Sequence, residues 1–268
     1  MTQFAIVGAL GRMGQAIARL SLSNQKLQFV SAIERKDHPQ TGKTYGDLIN
    51  TAEFQMPVIQ LENAPLGLGG VIDFSSPESS MNTVSFCLEK SIPLVIGSTG
   101  FSKEQNLAIR EAAANIPVVL ASNMSLGVNL LFHLTKIAAR TLKNAGFAPE
   151  ITEIHHKHKK DAPSGTAKTL EEIIKDEYEY SQDNVIYGRE GIVGERPEKE
   201  LAVFALRGGD VVGEHTAYFF GEGERVELTH KATSREIFAS GALTAVQFLQ
   251  GKETGLYNML DVLGLSES

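Results

Sequence analysis

Residues 155–160, HHKHKK, place three histidines and three lysines in six consecutive positions. The chain as a whole is acidic, with a formal net charge of −7 over 268 residues. A cationic segment of this kind in an acidic protein indicates an anionic ligand, proton transfer, or both. Histidine, with an ordinary pKa of about 6.5, delivers protons at neutral pH, and a neighbouring lysine stabilises developing negative charge or donates in turn.

The residues after this segment have the composition of a turn followed by a helix. DAPSGT (161–166) precedes the helical stretch TAKTLEEIIKDEYEY. A helix N-terminus has backbone N–H groups without intrahelical partners and a partial positive charge, which suits a carboxylate or a phosphate. We therefore expect Gly165 and Thr166 to grip a carboxylate, with the hydroxyl of Ser164 or Thr166.

Four interpretations of residues 155–160 compete. A metal site would need a cysteine or carboxylate partner, and none has a convincing spacing. A nucleic-acid site would need interleaved aromatic residues, and the acidic balance also argues against it. A solvated edge strand stays open on this segment alone. We favour a catalytic acid beside an anion site. Alternate side chains of an extended strand share a face, so His155 and Lys159 would point the same way. His156 would point the other way unless the strand ends there.

A second group of residues indicates a dinucleotide site. Gly8, Gly11 and Gly14 follow the apolar run FAIVG directly, and Leu10 occupies the middle position of the usual G-x-G-x-x-G pattern. Glycine is needed where backbone approaches a pyrophosphate and where helix and strand pack closely. A tight turn without a ligand would also contain these glycines. Glu34, at the end of the next apolar run, favours the dinucleotide, because an acidic residue there binds the ribose 2′-OH.

The neighbouring charges leave the choice of cofactor open. Glu34 suits NADH, whereas Arg35 can stack on adenine and pair with the 2′-phosphate of NADPH, and Arg12 can reach the same phosphates.

The turns GSTG (97–100) and ASNM (121–124) end two later strands, so both could line the nicotinamide or be ordinary loops. Hydride from a nicotinamide and a proton from histidine together reduce a polarised double bond.

The elements that must position these residues form two groups. Short Val- and Ile-rich runs at 4–8, 28–34, 69–75, 92–97 and 116–122 alternate with helical stretches, which predicts a doubly wound parallel sheet. A long apolar helix (125–146) follows, and then come strand-like runs at 201–207, 211–220 and 225–233. GGD and GEGE join the last three runs as tight turns, so we expect an antiparallel arrangement there. The final helix is expected to pack on the first domain.

Composition excludes several classes of protein. No apolar run reaches the roughly 18 residues of a membrane span, and the N-terminus lacks the features of a signal peptide. Cys87 is the only cysteine, so an intrachain disulfide is impossible and a cytoplasmic location is expected. The acidic balance argues against a nucleic-acid partner.

Several motifs occur in one order along nearly the whole chain: GALGRMG, IGSTG, ASNMSLGVN, EIHHKHKKDAPSGTA, a GRxG–GER loop, GGDVVGEHT and LTHKATSR. Together they closely resemble the dihydrodipicolinate reductase family of lysine and diaminopimelate biosynthesis. The resemblance implies an α/β fold with an N-terminal Rossmann domain (1–126, completed by 236–268). It also implies an inserted α+β substrate and tetramerisation domain (127–235), with a mixed, largely antiparallel sheet.

The resemblance also implies roles for individual residues. His155 would be the proton donor and acceptor and Lys159 the second proton donor. The substrate, a small dicarboxylate, would be bound by His156, Gly165 and Thr166. NADH, NADPH or both would be held by a larger set: Gly8, Ala9, Leu10, Gly11, Arg12, Met13, Glu34, Arg35, Gly97, Ser98, Thr99, Ala121, Ser122, Asn123 and Met124. No metal is implied.

We therefore expect an oxidoreductase that reduces 4-hydroxy-tetrahydrodipicolinate to tetrahydrodipicolinate with NAD(P)H, as a cytoplasmic homotetramer. Two alternatives stay open: another two-domain nicotinamide dehydrogenase of amino-acid metabolism, and a non-catalytic dinucleotide sensor. Met124 departs from the family, which commonly has an aromatic residue there, and this change could alter cofactor affinity. His158 and Lys160 have no role that follows from the sequence.

Overall fold

The computed structural model describes residues 1–266, which fall into two compact units. The first unit contains Met1–Leu126 and the segment that begins at Glu236, and the second is Gly127–Arg235. The strands are β1 Thr2–Val7, β2 Leu27–Glu34, β3 Val58–Gln60, β4 Gly70–Asp73, β5 Leu94–Ile96, β6 Pro117–Leu120, β7 Ala148–His155, β8 Val185–Ile186, β9 Leu201–Arg207, β10 Gly213–Gly221, β11 Glu224–Ala232 and β12 Gly255–Tyr257. The α-helices are α1 Arg12–Ser21, α2 Tyr45–Ile49, α3 Pro77–Lys90, α4 Lys103–Ala113, α5 Leu126–Leu142, α6 Gly165–Tyr178, α7 Glu236–Phe248 and α8 Met259–Leu263.

The first unit is built on a seven-stranded sheet in the order β12-β6-β5-β4-β1-β2-β3, and every strand pair is parallel. Both faces are buried, because Phe4 and Ile6 belong to one apolar cluster while Ala5 and Val7 belong to another. The near-continuous apolar strands follow from this double burial. The predicted doubly wound parallel sheet is confirmed.

Side-chain caps begin two of the helices in the first unit. The Ser76 hydroxyl accepts from the N–H of Ser79 at the start of α3, and Ser102 forms a capping box with Gln105 at the start of α4. The last long helix, α7, packs on α1 within the first unit, as the sequence predicts. Gly241 allows α7 to pack directly against the backbone at Met124, since a Cβ on Gly241 would lie 1.7 Å from the carbonyl oxygen of Met124. The short strands β3 and β12 lack a periodic signal of their own and were not predicted.

The second unit holds a five-stranded mixed sheet in the order β11-β10-β7-β9-β8. β7 pairs antiparallel with β10 and parallel with β9. The expectation that GGD makes a tight hairpin between 201–207 and 211–220 is wrong, because β7 lies between those two strands. The GEGE turn does join an antiparallel pair, β10 and β11. Helix α6 covers the sheet through Ala167, Leu170 and Ile174, which are fully buried with Val203 and Phe219.

Among the helices of residues 1–266, none has the length and apolar character that crossing a bilayer would require.

Candidate active site and dinucleotide site

The glycine turn after β1 has the geometry of a phosphate-binding turn. Gly8 has φ +76°, and a Cβ there would lie 2.8 Å from the carbonyl oxygen of Phe74. A Cβ on Gly14 would lie 2.3 Å from the carbonyl oxygen of Gly8, so helix α1 packs directly on the turn. Gly11 caps α1 without a side-chain hydrogen bond, which leaves the first-turn N–H groups to a ligand. This combination of close approach and uncapped helix start fits a dinucleotide pyrophosphate.

The acidic residue of the dinucleotide motif lies on this turn. Oε1 of Glu34, at the end of β2, accepts a hydrogen bond of 2.8 Å from the N–H of Leu10. Ala9 is fixed from the other side, because the Tyr45 hydroxyl donates to its carbonyl oxygen at 2.8 Å. Arg12 and Arg35 are exposed. The structure therefore brings the carboxylate and the turn together and leaves both guanidinium groups free to approach phosphates.

The turns after β5 and β6 end at the same carboxyl edge of the parallel sheet as the glycine turn. Gly97 and Thr99 flank a buried Ser98, and Ala121–Asn123 are at least partly accessible. Met124 is different, because it is 2% exposed and belongs to the apolar core. Its side chain packs in the apolar core at this edge of the sheet.

The sequence did not single out Asp73, which organises this edge. Asp73 is fully buried at the end of β4, and its Oδ1 accepts from the N–H of Ser75 (2.9 Å) and from the hydroxyls of Ser75 (2.7 Å), Ser80 (2.9 Å) and Ser98 (3.1 Å). Within residues 1–266, its Oδ2 has no hydrogen-bond partner. The carboxylate thereby joins the turn after β4 to the turn that contains Ser98.

The second unit brings its own polar cluster together at the end of β7. His155 is 8% exposed, and its Nδ1 bonds Oε2 of Glu153, which is fully buried. Arg207 donates to both carboxylate oxygens of Glu153, at 2.9 Å and 2.8 Å. The register of the strands brings these side chains together, since His155 lies opposite Arg207 on β9 and Glu153 lies opposite His215 on β10.

The electrostatics of this cluster keep one carboxylate ionised and one histidine neutral. Burial alone would raise the pKa of Glu153, but hydrogen bonds from His155 and Arg207 and their charges lower it to about 2. Burial, reinforced by the charge of His155, lowers the pKa of His215 to about 3. The His155 and His215 rings lie 5.1 Å apart at 73°. At neutral pH, His215 is therefore neutral and adds no positive charge to the cluster.

The segment after His155 is a turn and not a continued strand. β7 ends at His155, and the N–H of Lys159 donates to the carbonyl oxygen of His156 at 3.1 Å. The argument from strand alternation for His155 and Lys159 is therefore wrong in its premise. Lys159 is partly exposed in this turn, and its Nζ lies 2.9 Å from Oδ2 of Asp161.

The other cationic residues differ in their surroundings. His156 is partly exposed, with its Nε2 3.4 Å from a guanidinium nitrogen of Arg235. Partial desolvation and the charge of Arg235 lower the pKa of His156. His158 and Lys160 are exposed.

The predicted helix start lies beside this cluster. α6 begins at Gly165, and the Ser164 hydroxyl accepts from the N–H of Ala167 at 3.2 Å. The N–H of Ser164 donates to Oε1 of Glu153 at 3.1 Å. Gly165 is exposed, Thr166 is partly exposed, and a Cβ on Gly165 would meet nothing within 4 Å. The helix start is therefore open to an anion and tied to the carboxylate that holds His155.

One group in residues 1–266 has the spacing of metal ligands. Single ligand atoms of Glu153, His155 and His215 lie within 4.8 Å of one another. Arg207 already occupies both oxygens of Glu153 with its guanidinium, so a cation would have to displace it. We do not assign a metal to this group.

Sequence reasoning missed Glu153, Arg207 and His215. Glu153 lies two residues before His155, so strand alternation could have identified it. Arg207 and His215 carry no local signal, because only long-range strand pairing brings them to the cluster.

Models of one protein family match both parts of the chain. "Dihydrodipicolinate reductase, N-terminus" matches residues 2–124, and "Dihydrodipicolinate reductase, C-terminus" matches residues 127–263. The 4-hydroxy-tetrahydrodipicolinate reductase of Anaeromyxobacter sp. (strain Fw109-5) is 49% identical, over 99% of this chain and 98% of its own length. The Aquifex aeolicus (strain VF5) protein of the same name is 46% identical, over 97% of this chain and 98% of its own length.

Solved structures agree with the fold. Dipicolinate-bound dihydrodipicolinate reductase from Paenisporosarcina sp. TG-14 superimposes with a TM-score of 0.77 at 26% identity, over 97% of this chain and 98% of that one. The DAP dehydrogenase of C. glutamicum, with a TM-score of 0.53 at 12% identity, over 100% of this chain and 96% of that one, shares the fold alone. The predicted α/β fold, with a Rossmann-type sheet and a second mixed sheet, is confirmed.

Proposed function

The chain belongs to the dihydrodipicolinate reductase family, and from this premise we propose that it reduces 4-hydroxy-tetrahydrodipicolinate to tetrahydrodipicolinate with NAD(P)H, in diaminopimelate and lysine biosynthesis. The observation that carries the proposal is the buried Glu153–His155 pair beside an open helix start at Gly165. A proton donor next to an anion cradle is the arrangement that reduction of an unsaturated dicarboxylate requires. Dipicolinate, the ligand of the Paenisporosarcina relative, is itself a dicarboxylate.

The first unit is proposed to bind the cofactor. The residues at the edge of its sheet are the glycine turn, Glu34, Arg35, the turn at 97–99 and the turn at 121–124. The pyrophosphate would lie on the uncapped start of α1, and Glu34 would accept from the ribose 2′-OH. When bound, the reduced nicotinamide supplies a hydride.

The second unit is proposed to bind the substrate and supply the proton. After loss of the 4-hydroxyl, hydride adds at C4 and His155 protonates the adjacent carbon. Lys159 and the N–H groups at Gly165 and Thr166 stabilise the negative charge that develops between these events. His156 contributes a further contact to a substrate carboxylate.

The non-catalytic alternative is disfavoured by the same cluster. A dinucleotide sensor has no need of a buried carboxylate that holds a histidine beside an anion site. We also propose a cytoplasmic location, which suits a chain whose one cysteine, Cys87, is free and buried. A homotetramer is proposed from the family, and sedimentation velocity of the purified protein tests it.

Steady-state kinetics test the function. Purified protein is mixed with freshly generated 4-hydroxy-tetrahydrodipicolinate and either cofactor, and loss of reduced-nicotinamide absorbance is followed. His155→Gln and Lys159→Ala should each lower kcat by roughly 10²–10⁴-fold, the scale of acid–base groups. The matched controls are His158→Gln and Lys160→Ala, exposed neighbours in the same segment, which should keep wild-type kcat. Absence of turnover in the wild type, with cofactor binding intact, would instead favour the sensor.

A further inference from the structure

We propose that Glu153 is a positioning residue that makes Nε2 of His155 the proton-delivering atom and couples this histidine to the anion-binding start of α6. The inference rests on the proposed function, since it concerns the same reaction. It also gives a role to the ion pair between Glu153 and Arg207. The reaction itself does not require this ion pair.

The carboxylate of Glu153 is fixed by four hydrogen bonds. Oε2 accepts from Nδ1 of His155 and from Arg207 at 2.9 Å. Oε1 accepts from the other guanidinium nitrogen of Arg207 at 2.8 Å and from the N–H of Ser164 at 3.1 Å. Arg207 is itself held, because it also donates to the carbonyl oxygen of Asp161 at 2.8 Å. With both oxygens engaged twice, the carboxylate has no freedom to rotate.

This geometry decides which histidine nitrogen carries the exchangeable proton. An ionised carboxylate only accepts hydrogen bonds, so Nδ1 of His155 must be the N–H that donates to it. Nε2 is then the atom that gains and loses a proton. Among residues 1–266, the one side-chain hydrogen bond of His155 is made by Nδ1, so Nε2 is available to a substrate.

The packing around the ring keeps Nε2 in place. A Cβ on Gly213 would lie 3.0 Å from Nε2, so glycine leaves the room that this atom needs. His215 packs edge-on against the ring, and its own Nε2 lies 2.9 Å from the Ser164 hydroxyl. Ser164 is therefore tied to Glu153 by its N–H and to His215 by its hydroxyl. A shift of the His155 ring would therefore also move Ser164, the residue directly before the anion site at Gly165 and Thr166.

Removing the charge of Glu153 tests the proposal. In Glu153→Gln, the side-chain oxygen can still accept from Ser164, but the charge is lost and the amide NH₂ is a donor that competes with Nδ1–H. We expect kcat to fall at least 10²-fold with substrate KM within about threefold, because proton delivery is lost and the anion site remains. Glu153→Asp keeps the charge and should recover part of kcat.

The pH dependence of kcat distinguishes a positioning role of Glu153 from a purely structural one. The titratable and charged groups around His155 are Glu153 on its own strand, Arg207 on β9, the neutral His215 on β10, and His156 and the Lys159–Asp161 pair in the turn. Without the carboxylate of Glu153, the guanidinium of Arg207 stays in the cluster without its ion-pair partner, so the protonated form of His155 is less favoured. The alkaline fall of kcat should therefore move to lower pH in Glu153→Gln.

The chain offers a matched control on the same strand. Glu150 is also buried on β7 and pairs with two arginines, Arg189 and Arg196, but it points to the opposite face from Glu153. Glu150→Gln should destabilise the protein without moving the pH profile. If both variants lose kcat only in proportion to lost folded protein, and neither profile moves, Glu153 is purely structural and the proposal is overturned.

Ring ¹⁵N NMR of the histidines gives a readout that needs no turnover. The neutral His155 ring of the wild type should show the Nδ1–H tautomer, and Glu153→Gln should lose that preference. A wild-type ring in the Nε2–H tautomer overturns the proposal, even if the variants fail to fold. Because this measurement needs no substrate, failure of the proposed function and failure of this inference are distinguishable.

Discussion

The N–H of Leu10 donates a 2.8 Å hydrogen bond to Oε1 of Glu34, so the glycine turn after β1 and the end of β2 are joined before any ligand binds. We propose that the adenosine ribose of the dinucleotide binds beside Glu34. Arg35, the next residue, is exposed and free to turn toward the same region. On this proposal, these two adjacent residues of opposite sign set the cofactor preference.

Glu34→Ala should shift the preference toward NADPH. The change removes a hydrogen-bond acceptor for the ribose 2′-OH and a repulsive charge for the 2′-phosphate. We expect the ratio of kcat/KM for NADPH over NADH to rise about tenfold, or about 1.4 kcal/mol. Arg35→Ala is the paired experiment, and it should lower the same ratio. Ratios that stay at the wild-type value in both variants would contradict the placement of the adenosine ribose.

Gly14→Ala should damage the dinucleotide site through packing. The new methyl group would lie 2.3 Å from the carbonyl oxygen of Gly8, so α1 must move away from the turn. We expect a loss of about 1–3 kcal/mol in the free energy of unfolding and a raised KM for the cofactor. Gly188→Ala is the control, because a Cβ there meets nothing within 4 Å. Urea unfolding and cofactor titration measure both effects.

Gly165→Ala should separate substrate binding from folding. A Cβ on Gly165 contacts nothing in the protein, and alanine is the better helix former, so stability should hold or rise by up to about 1 kcal/mol. The methyl group would nevertheless occupy space where a substrate carboxylate approaches the start of α6. Substrate KM should rise about tenfold or more, while cofactor KM is unchanged. An unaltered substrate KM would exclude a carboxylate from this helix start.

Asp73→Asn should loosen the edge of the parallel sheet that faces the cofactor. The buried Oδ1 joins Ser75 to Ser98, and an amide oxygen in its place lacks the negative charge that strengthens these hydrogen bonds, while the NH₂ would be a buried donor without a partner at the position of Oδ2. We expect a loss of about 1–3 kcal/mol in stability and a higher cofactor KM, with kcat little changed. Ser31→Ala is the matched control, because its buried hydroxyl has no hydrogen-bond partner and its removal should be neutral or stabilising.

His215→Gln should flatten the dependence of stability on pH. The folded pKa of His215, about 3, lies below the ordinary value of about 6.5, so the unfolded chain binds the proton more readily. Stability present above pH 6.5 is therefore lost as pH falls toward 3. Urea midpoints measured at pH 7.5 and pH 5, roughly either side of that ordinary value, should differ less in His215→Gln than in the wild type. An equal difference in the two proteins would show that folding does not lower the pKa of His215.

Features carried by neighbouring residues could be predicted from the sequence. The buried strands of the first sheet, the glycine turn and the caps at Ser76 and Ser102 depend on local patterns of apolar residues, glycine and hydroxyls. The start of α6 at Gly165 follows from the same kind of signal. The prediction from alternating side chains fails after His155, because it presumes an extended strand. The strand ends at His155, and a turn follows it.

By itself, the sequence determined which residues are candidates for the chemistry: a glycine turn with Glu34, and a histidine and lysine segment before a helix start. Only the tertiary structure decided how His155 is held. β7 lies between β9 and β10, and this order brings Arg207 and His215 to Glu153 from positions far along the chain. The physical reason is that strand order follows from the long-range pairing of whole sheets, which no local pattern encodes, whereas turns and caps are satisfied within a few residues.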